Sequence, residues 1–365
     1  MQILDTDHIE LYVGDARVAA EQLCASYGFH VYGQGGPETG LAGQRSVLLG
    51  QRDIRILLTS GLSSGHRASR YVAQHGDGIA VVAFGCTDAE ATFAEAVAAG
   101  ATPVEAPRRI AHGGASVVVA EVSGFGDVTH RLVQRDGEAQ FLPGLLDTSM
   151  APEGPDAGDL LHTIDHAAVC LPAGELDTAV AYYQRAFGFE MIFQEYIEVG
   201  DQGMQSKVVQ SPSGGVTFTL IQPDISRRAG QIDDFLAWHE GAGVQHVAFS
   251  THDIVAAVQA LSARGVEFAQ TPGSYYDMLS ARLGDVDVPV DELRPLGILV
   301  DRDHWGQMYQ IFAKSTHIRR TYFNELIDRH GARTFGTSNI PALYAAKERE
   351  LAAVRDITHS EGNAL

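Results

Sequence analysis

The chain has no run of eighteen apolar residues, so no stretch is suited to cross a bilayer as a helix. Its first twenty residues hold Asp5, Asp7, Glu10 and Asp15, and lack the basic start and apolar core of a secretory leader. Cysteine is scarce. Cys24, Cys86 and Cys170 have neither metal-type nor redox-type spacing, which argues against a disulfide framework and for a reduced, cytoplasmic setting. Basic residues are outnumbered, 26 Lys and Arg against 46 Asp and Glu, for a formal charge of −20. That balance argues against nucleic acid or an anionic membrane as partner. It leaves open a small anionic ligand, because one local cation can dominate a pocket.

What is present is a globular composition, 45% hydrophobic and 20% charged, over 365 residues, more than one ordinary core accommodates. The chain is also written twice. Asp5-Thr-Asp-His-Ile-Glu-Leu-Tyr-Val13 returns as Thr163-Ile-Asp-His-Ala-Ala-Val-Cys-Leu171. Each copy leads into a helical stretch, 16–27 and about 175–187, closed by Gly28 and Gly188 between aromatics. The strand-like segment 75–84 matches 240–249, and the helical stretches 88–99 and 254–264 correspond. Gly306–Phe312 is read as the answer to Gly126–Leu132. Residues 135–160, rich in Gly, Pro, Asp and Glu, read as a connection. The loop 334–340 and an Ala/Glu/Lys-rich helix from about 341 to 355 read as additions without counterpart.

Each half therefore predicts two βαβββ-like units. The expected class is α+β, with curved, mostly antiparallel sheets forming open barrels around a cavity. The expected organisation is a first domain over 1–135, a linker over 136–160, a second domain over 161–340 and a terminal helix and tail over 341–365.

The copies differ in chemistry. His166 lies opposite His8, but His246 lies opposite Val81. Two imidazoles on equivalent first strands are half a metal site. A third ligand is expected from a late segment that the first half lacks, and Glu325 in the strand-like run 321–329 is the candidate. Two His and one carboxylate leave positions open and suit non-haem Fe(II). The plainer alternative is that each histidine is a satisfied core residue and the glutamate faces solvent. Spacings of 80 and 79 residues make no local motif, so the repeat carries the metal reading. His8 reads as structural and without a partner. His75, His112, His130, His239 and His304 read as surface residues.

These residues resemble a known family. The paired units look like the vicinal oxygen chelate superfamily (the glyoxalase and bleomycin-resistance fold), and the whole chain is similar to the 4-hydroxyphenylpyruvate dioxygenase family. The motifs are Asp165-His166, Gly243-Val-Gln-His246, Gln310-Ile-Phe312, Glu325 with Ile327-Asp-Arg329, and Phe335-Gly-x-x-Asn339. The resemblance implies that His166, His246 and Glu325 bind Fe(II), that the first half is a degenerate structural partner, and that the substrates are an aryl α-keto acid and O2. One branch of the family makes homogentisate by ring hydroxylation, and the other makes 4-hydroxymandelate by oxidative decarboxylation and benzylic hydroxylation.

Thr219 and Ile221 stand where ring-hydroxylating members have proline and asparagine, and Ile340 stands where they have phenylalanine. Both departures resemble the hydroxymandelate-forming branch. Gln222, Asn324 and Trp305 follow neither pattern. Ser206, Thr219, Gln231, Gln310 and Asn339 are expected to contact the substrate's polar ends. Phe312 and Phe335 are expected to pack its ring, or the core, and Ile221 and Ile340 to set its position. Other expectations of this superfamily are an extradiol catechol dioxygenase or a non-catalytic binding protein. The sequence does not set the oligomeric state; a homodimer is one expectation.

Overall fold

The computed structural model describes residues 2–136, 140–152, 154, 156, 158–343 and 345–346. The first half runs β1 (Ile3–Tyr12), α1 (Ala16–Tyr27), β2 (His30–Gly35), β3 (Gln44–Gln51), β4 (Ile54–Gly61), α2 (Arg67–His75), β5 (Gly78–Cys86), α3 (Ala89–Ala98), β6 (Pro103–His112), β7 (Ala115–Ser123) and β8 (Thr129–Asp136). The second runs β9 (Ile164–Cys170), α4 (Leu176–Phe187), β10 (Glu190–Val199), β11 (Gln202–Gln210), β12 (Thr217–Pro223), α5 (Gln231–His239), β13 (Gly243–Ser250) and α6 (Ile254–Ala263). Three short helices follow, α7 (Gly273–Asp277), α8 (Leu279–Leu283) and α9 (Val290–Leu293), and then β14 (Leu299–Arg302), β15 (Gln307–Phe312) and β16 (Phe323–His330). No described helix is long and apolar enough to cross a membrane.

Local chemistry sets the ends of these elements. Asp15, Asp88 and Asp253 cap the first turns of α1, α3 and α6 through their carboxylates. Gly28 and Gly188 close α1 and α4 at φ of 76° and 68°, a region that other residues enter with strain.

Two eight-stranded sheets result, with orders β2-β3-β4-β1-β5-β8-β7-β6 and β10-β11-β12-β9-β13-β16-β15-β14. They are the same order, element for element. Each sheet is two four-stranded units joined where β1 meets β5, and β9 meets β13, antiparallel. Side chains alternate, so each sheet has a concave inner face and an outer face. The outer faces and helices of both halves share one apolar core. Phe29 of one half meets Phe249 of the other at 5.9 Å, and Phe84 meets Phe187 and Phe218. Each ring so buried stabilises the fold by roughly 1.5–3 kcal/mol.

Strand register corrects two expectations. β8 runs parallel to β5 with Ala83 opposite Arg131, and β16 runs parallel to β13 with Ala248 opposite Glu325. So β16 has a counterpart, and Arg131 stands where Glu325 stands. Gly306–Phe312 therefore answers β7, not Gly126–Leu132; the short helices and the longer approach to β16 shift the spacing.

The loop after β16 also has a counterpart. Phe141 lies edge-on to His8 at 4.7 Å and under Arg135 at 4.8 Å, as Phe335 lies edge-on to His166 at 5.1 Å and under Arg329 at 5.2 Å. Part of the expected linker thus crosses the inner face of the first sheet. The expected terminal helix begins at Asn339 and is described as far as Ala346; its continuation to 355 lies outside the described residues.

Three histidines expected at the surface are buried: His75, His130 and His239. His75 and His239 end the equivalent helices α2 and α5 and stack on each other at 4.4 Å between the halves. His130 points outward from β8 into the shared core, with Nε2 at 2.8 Å from the Tyr183 hydroxyl. His112 and His304 are exposed.

Candidate metal centre

The inner face of the second sheet carries the candidate metal ligands. Three central strands bring His166 (β9), His246 (β13) and Glu325 (β16) together, all buried, with candidate ligand atoms within 4.8 Å of one another. Glu325 Oε2 lies 3.4 Å from His166 Nε2 and 3.3 Å from His246 Nε2. The other oxygen, Oε1, is buried without a hydrogen-bond partner. A buried, half-unpaired carboxylate facing two imidazole nitrogens costs free energy unless a cation satisfies it.

The ligands are held from behind. His166 Nδ1 lies 2.7 Å from Asp165, which fixes that nitrogen as the donor and turns Nε2 inward as an acceptor. Asp165 is itself gripped by Arg329, whose Nε and Nη2 donate to its two oxygens at 2.7 and 2.9 Å. Arg329 also donates to the carbonyls of Ala332 and Thr334, tying the site to the segment that covers it. The His246 ring stacks on Phe323 at 5.0 Å.

Charge inside the site favours a cation. Burial pulls the His166 pKa down, but Asp165 and Glu325 outweigh it and raise it to about 9. Burial pushes the Glu325 carboxyl up, yet the two histidines outweigh that and hold it below its ordinary value. The triad's surroundings favour positive charge, and its donor set fits a divalent metal.

The first half shows what happens without one. Asp7 and Arg135 repeat the clamp, with Arg135 donating at 2.7 Å to each Asp7 oxygen and Asp7 at 2.6 Å from His8 Nδ1. Val81 replaces the second histidine and Arg131 the glutamate. The Arg131 guanidinium reaches His8 Nε2 at 3.1 Å, Glu10 at 2.7 Å and Glu121 at 2.6 Å. His8 does have a partner, then: a fixed side-chain cation fills this site. Across the strands, Glu121 corresponds to Phe312, and the polar wall that holds the guanidinium is apolar in the second half.

Five residues expected at the substrate share the triad's inner face: Ser206, Thr219, Ile221, Gln310 and Phe312. The segment from Phe335 to Ile340 crosses that face. Phe335 meets His166, while Ile340 packs in one cluster with Ile221, Cys170 and Phe235 at the far end. Gly336 has φ of 78°, and a Cβ there would collide with the Gln310 amide, so this crossing needs glycine. Asn339 is fixed by Tyr275 and Arg282 through its Oδ1. Gln231 stands apart, exposed at the first turn of α5.

The three residues that follow neither branch's pattern all lie off this face. Gln222 caps the start of α4 by accepting from the Gly174 and Leu176 amides. Asn324 accepts from the Tyr322 hydroxyl at 2.5 Å, and Trp305 is exposed. A cavity of about 880 Å3 lies between the halves and touches the triad's strands only at Phe323 and Asn324. Its large size does not make it the reactive site, since none of the triad lines it.

Residue pattern, fold and site all have relatives. The Glyoxalase/Bleomycin resistance protein/Dioxygenase superfamily model matches residues 6–126 and 163–285. A 4-hydroxyphenylpyruvate dioxygenase of Yarrowia lipolytica is 33% identical, over 95% of this chain and 92% of its own length. One from Caenorhabditis elegans is 33% identical, over 94% and 91%. The chain belongs to the 4-hydroxyphenylpyruvate dioxygenase family. A solved structure of a triple mutant of 4-hydroxymandelate synthase from Streptomyces coelicolor is 43% identical, with a TM-score of 0.86 over 96% of this chain and 99% of that one. As a family member the protein is a dioxygenase, and its curled double sheet is the glyoxalase-type fold.

Proposed function

We propose that the protein is an Fe(II)-dependent dioxygenase that converts 4-hydroxyphenylpyruvate and O2 to 4-hydroxymandelate and CO2. His166, His246 and Glu325 would hold the metal, which when bound supplies charge neutralisation and O2 activation. The keto acid end belongs at the triad and the aryl ring between Phe312 and Phe335. Ser206, Thr219 and Gln310 face the substrate, and the 335–340 segment keeps water out.

Product choice is a matter of placement, since about 1 Å of displacement can cost about 100-fold in rate. The observation that carries the benzylic reading is the contact cluster shared by Ile221 and Ile340. Two aliphatic side chains at the far end leave room for the ring to seat away from the metal. The reacting position then becomes the benzylic carbon. Asparagine and phenylalanine there would favour the second reading, a homogentisate-forming enzyme.

The test is anaerobic loading with Fe(II), then 4-hydroxyphenylpyruvate and O2. Products are separated against standards, because homogentisate and 4-hydroxymandelate have equal mass. 4-Hydroxymandelate is expected; homogentisate would overturn the benzylic reading but not the site. Ile221→Asn combined with Ile340→Phe is expected to raise the homogentisate fraction, and an unchanged ratio would remove these two residues as the switch. His246→Ala is expected to abolish stoichiometric metal uptake, measured by metal analysis of the purified protein.

A further inference from the structure

Among the described residues, seven buried polar side-chain atoms lack a hydrogen-bond partner, and five belong to the inner face of the second sheet or to the segment crossing it. Glu325 Oε1 is at the triad. Thr219 Oγ1 stands beside Ala168, one inward position along β9 from His166. Glu195 Oε2, Thr337 Oγ1 and Asn339 Nδ2 lie further on. Unpaired buried polar atoms are rare in a settled core, and concentrated on one sheet face and the segment crossing it they outline a ligand. That ligand is polar at both ends.

Glu195 is the member that sequence reading passed over. It sits on β10, directly across from Ser206, which is across from Ile221, which is across from Cys170. This row of inward positions lies four residues along β9 from His166, about 13 Å at 3.3 Å per residue. The Thr337 hydroxyl is within reach of the Glu195 carboxyl as a donor, and Asp301 of β14 is near enough to act on its charge. The two edges of the open barrel approach each other here. Ser338 is fixed to Asp301 through its amide and hydroxyl, and Arg282 donates to its carbonyl. At Glu195 the Thr337 hydroxyl approaches as a donor, yet neither it nor Oε2 completes a hydrogen bond.

We infer that Glu195 is a specificity-determining residue whose Oε2 accepts a hydrogen bond from a donor group on the substrate ring, remote from the keto acid. This rests on the proposed reading of the site and names the ring substituent: a hydroxyl, not hydrogen, halogen or methyl. Ser206, facing the same spot from the next strand, is placed to share that hydroxyl. In the first half the position across from Ser46 is Gly35, and no carboxylate stands there.

The experiment compares 4-hydroxyphenylpyruvate with phenylpyruvate on the Fe(II)-loaded protein, in two readouts. One is equilibrium binding without O2, and the other is kcat/KM with O2. A buried acceptor left unpaired by phenylpyruvate predicts that the wild type prefers the hydroxylated acid. Glu195→Ala is expected to weaken binding of 4-hydroxyphenylpyruvate about 10- to 150-fold, the range for a hydrogen bond to a charged group. Phenylpyruvate binding should stay within about threefold, so the preference collapses.

Glu195→Gln keeps the shape and an acceptor oxygen, and is expected to retain a preference for the hydroxyl. It also decides the matter if the alanine variant does not fold. An equal loss for both acids would mean that Glu195 only supports the crossing segment, and would overturn the inference. An unchanged preference in both variants would do the same. If the wild type binds neither acid, the proposed function itself fails, which is a different outcome from a wild type that binds both without preference.

Discussion

Asp165 and Arg329 offer no ligand to the triad, yet they decide how His166 is presented. Asp165→Asn keeps the volume but weakens both the clamp and the bond to Nδ1. Metal affinity is expected to fall about 10- to 100-fold, the usual cost of losing such a partner; competition with a chelator measures it. Asp7→Asn perturbs the same clamp in the first half and should leave metal affinity unchanged while lowering thermal stability. Equal effects on metal affinity would show that the clamp acts through folding alone. At this scale the sequence was legible where a residue type carried its own chemistry. The histidines and Glu325 stood out in that way. Arg131 did not, because an arginine in an alternating strand looks like a solvent-facing residue. Glu195 did not either: β10 is an edge strand, and its burial comes from the crossing segment.

At the scale of elements, β8 and β16 show how much depends on register. Repeats were readable where turn and aromatic signals recur, as at Gly28 and Gly188. They were not readable across the three short helices before β14, because apolar periodicity carries no record of which strand follows which. The inward side of β8 is a consequence. Arg131→Met leaves Glu10 buried without its ion-pair partner and Glu121 with Arg67 alone. Removing one partner of a buried network typically costs about 3–5 kcal/mol. The expected result is a lower unfolding temperature by calorimetry with unchanged metal stoichiometry in the folded protein. A variant as stable as the wild type would mean that the carboxylates reach water or protonate at little cost.

The whole molecule is two sheets sharing one core, and its seam is sensitive to acid. Burial lowers the His130 pKa from its ordinary 6.5 to about 4. Burial and neighbouring His75 likewise lower His239 to about 4. Both are neutral in the fold at pH 7, and the unfolded chain takes up their protons first. Stability from these groups is therefore full above pH 6.5 and falls as the pH drops from 6.5 toward 4. Urea midpoints measured across that window should decline, and His130→Gln, which can still bond Tyr183, should flatten the decline. A slope unaffected by that change would place the sensitivity elsewhere. The double architecture was visible from the sequence because each unit must bury its own apolar face. The joint between the halves was not, since contacts such as Phe29 with Phe249 leave no periodic trace.

The guanidinium in the first sheet also closes a road. Arg131→Glu alone would set a third carboxylate beside Glu10 and Glu121 with Arg67 as the remaining counter-charge, and Val81→His alone would set a second imidazole against the guanidinium that already meets His8. Only both together could rebuild a second triad, with Glu10 and Glu121 still crowding it. The positive charge that the triad would draw from a metal is built into the chain in the other copy, so no single substitution turns one copy into the other.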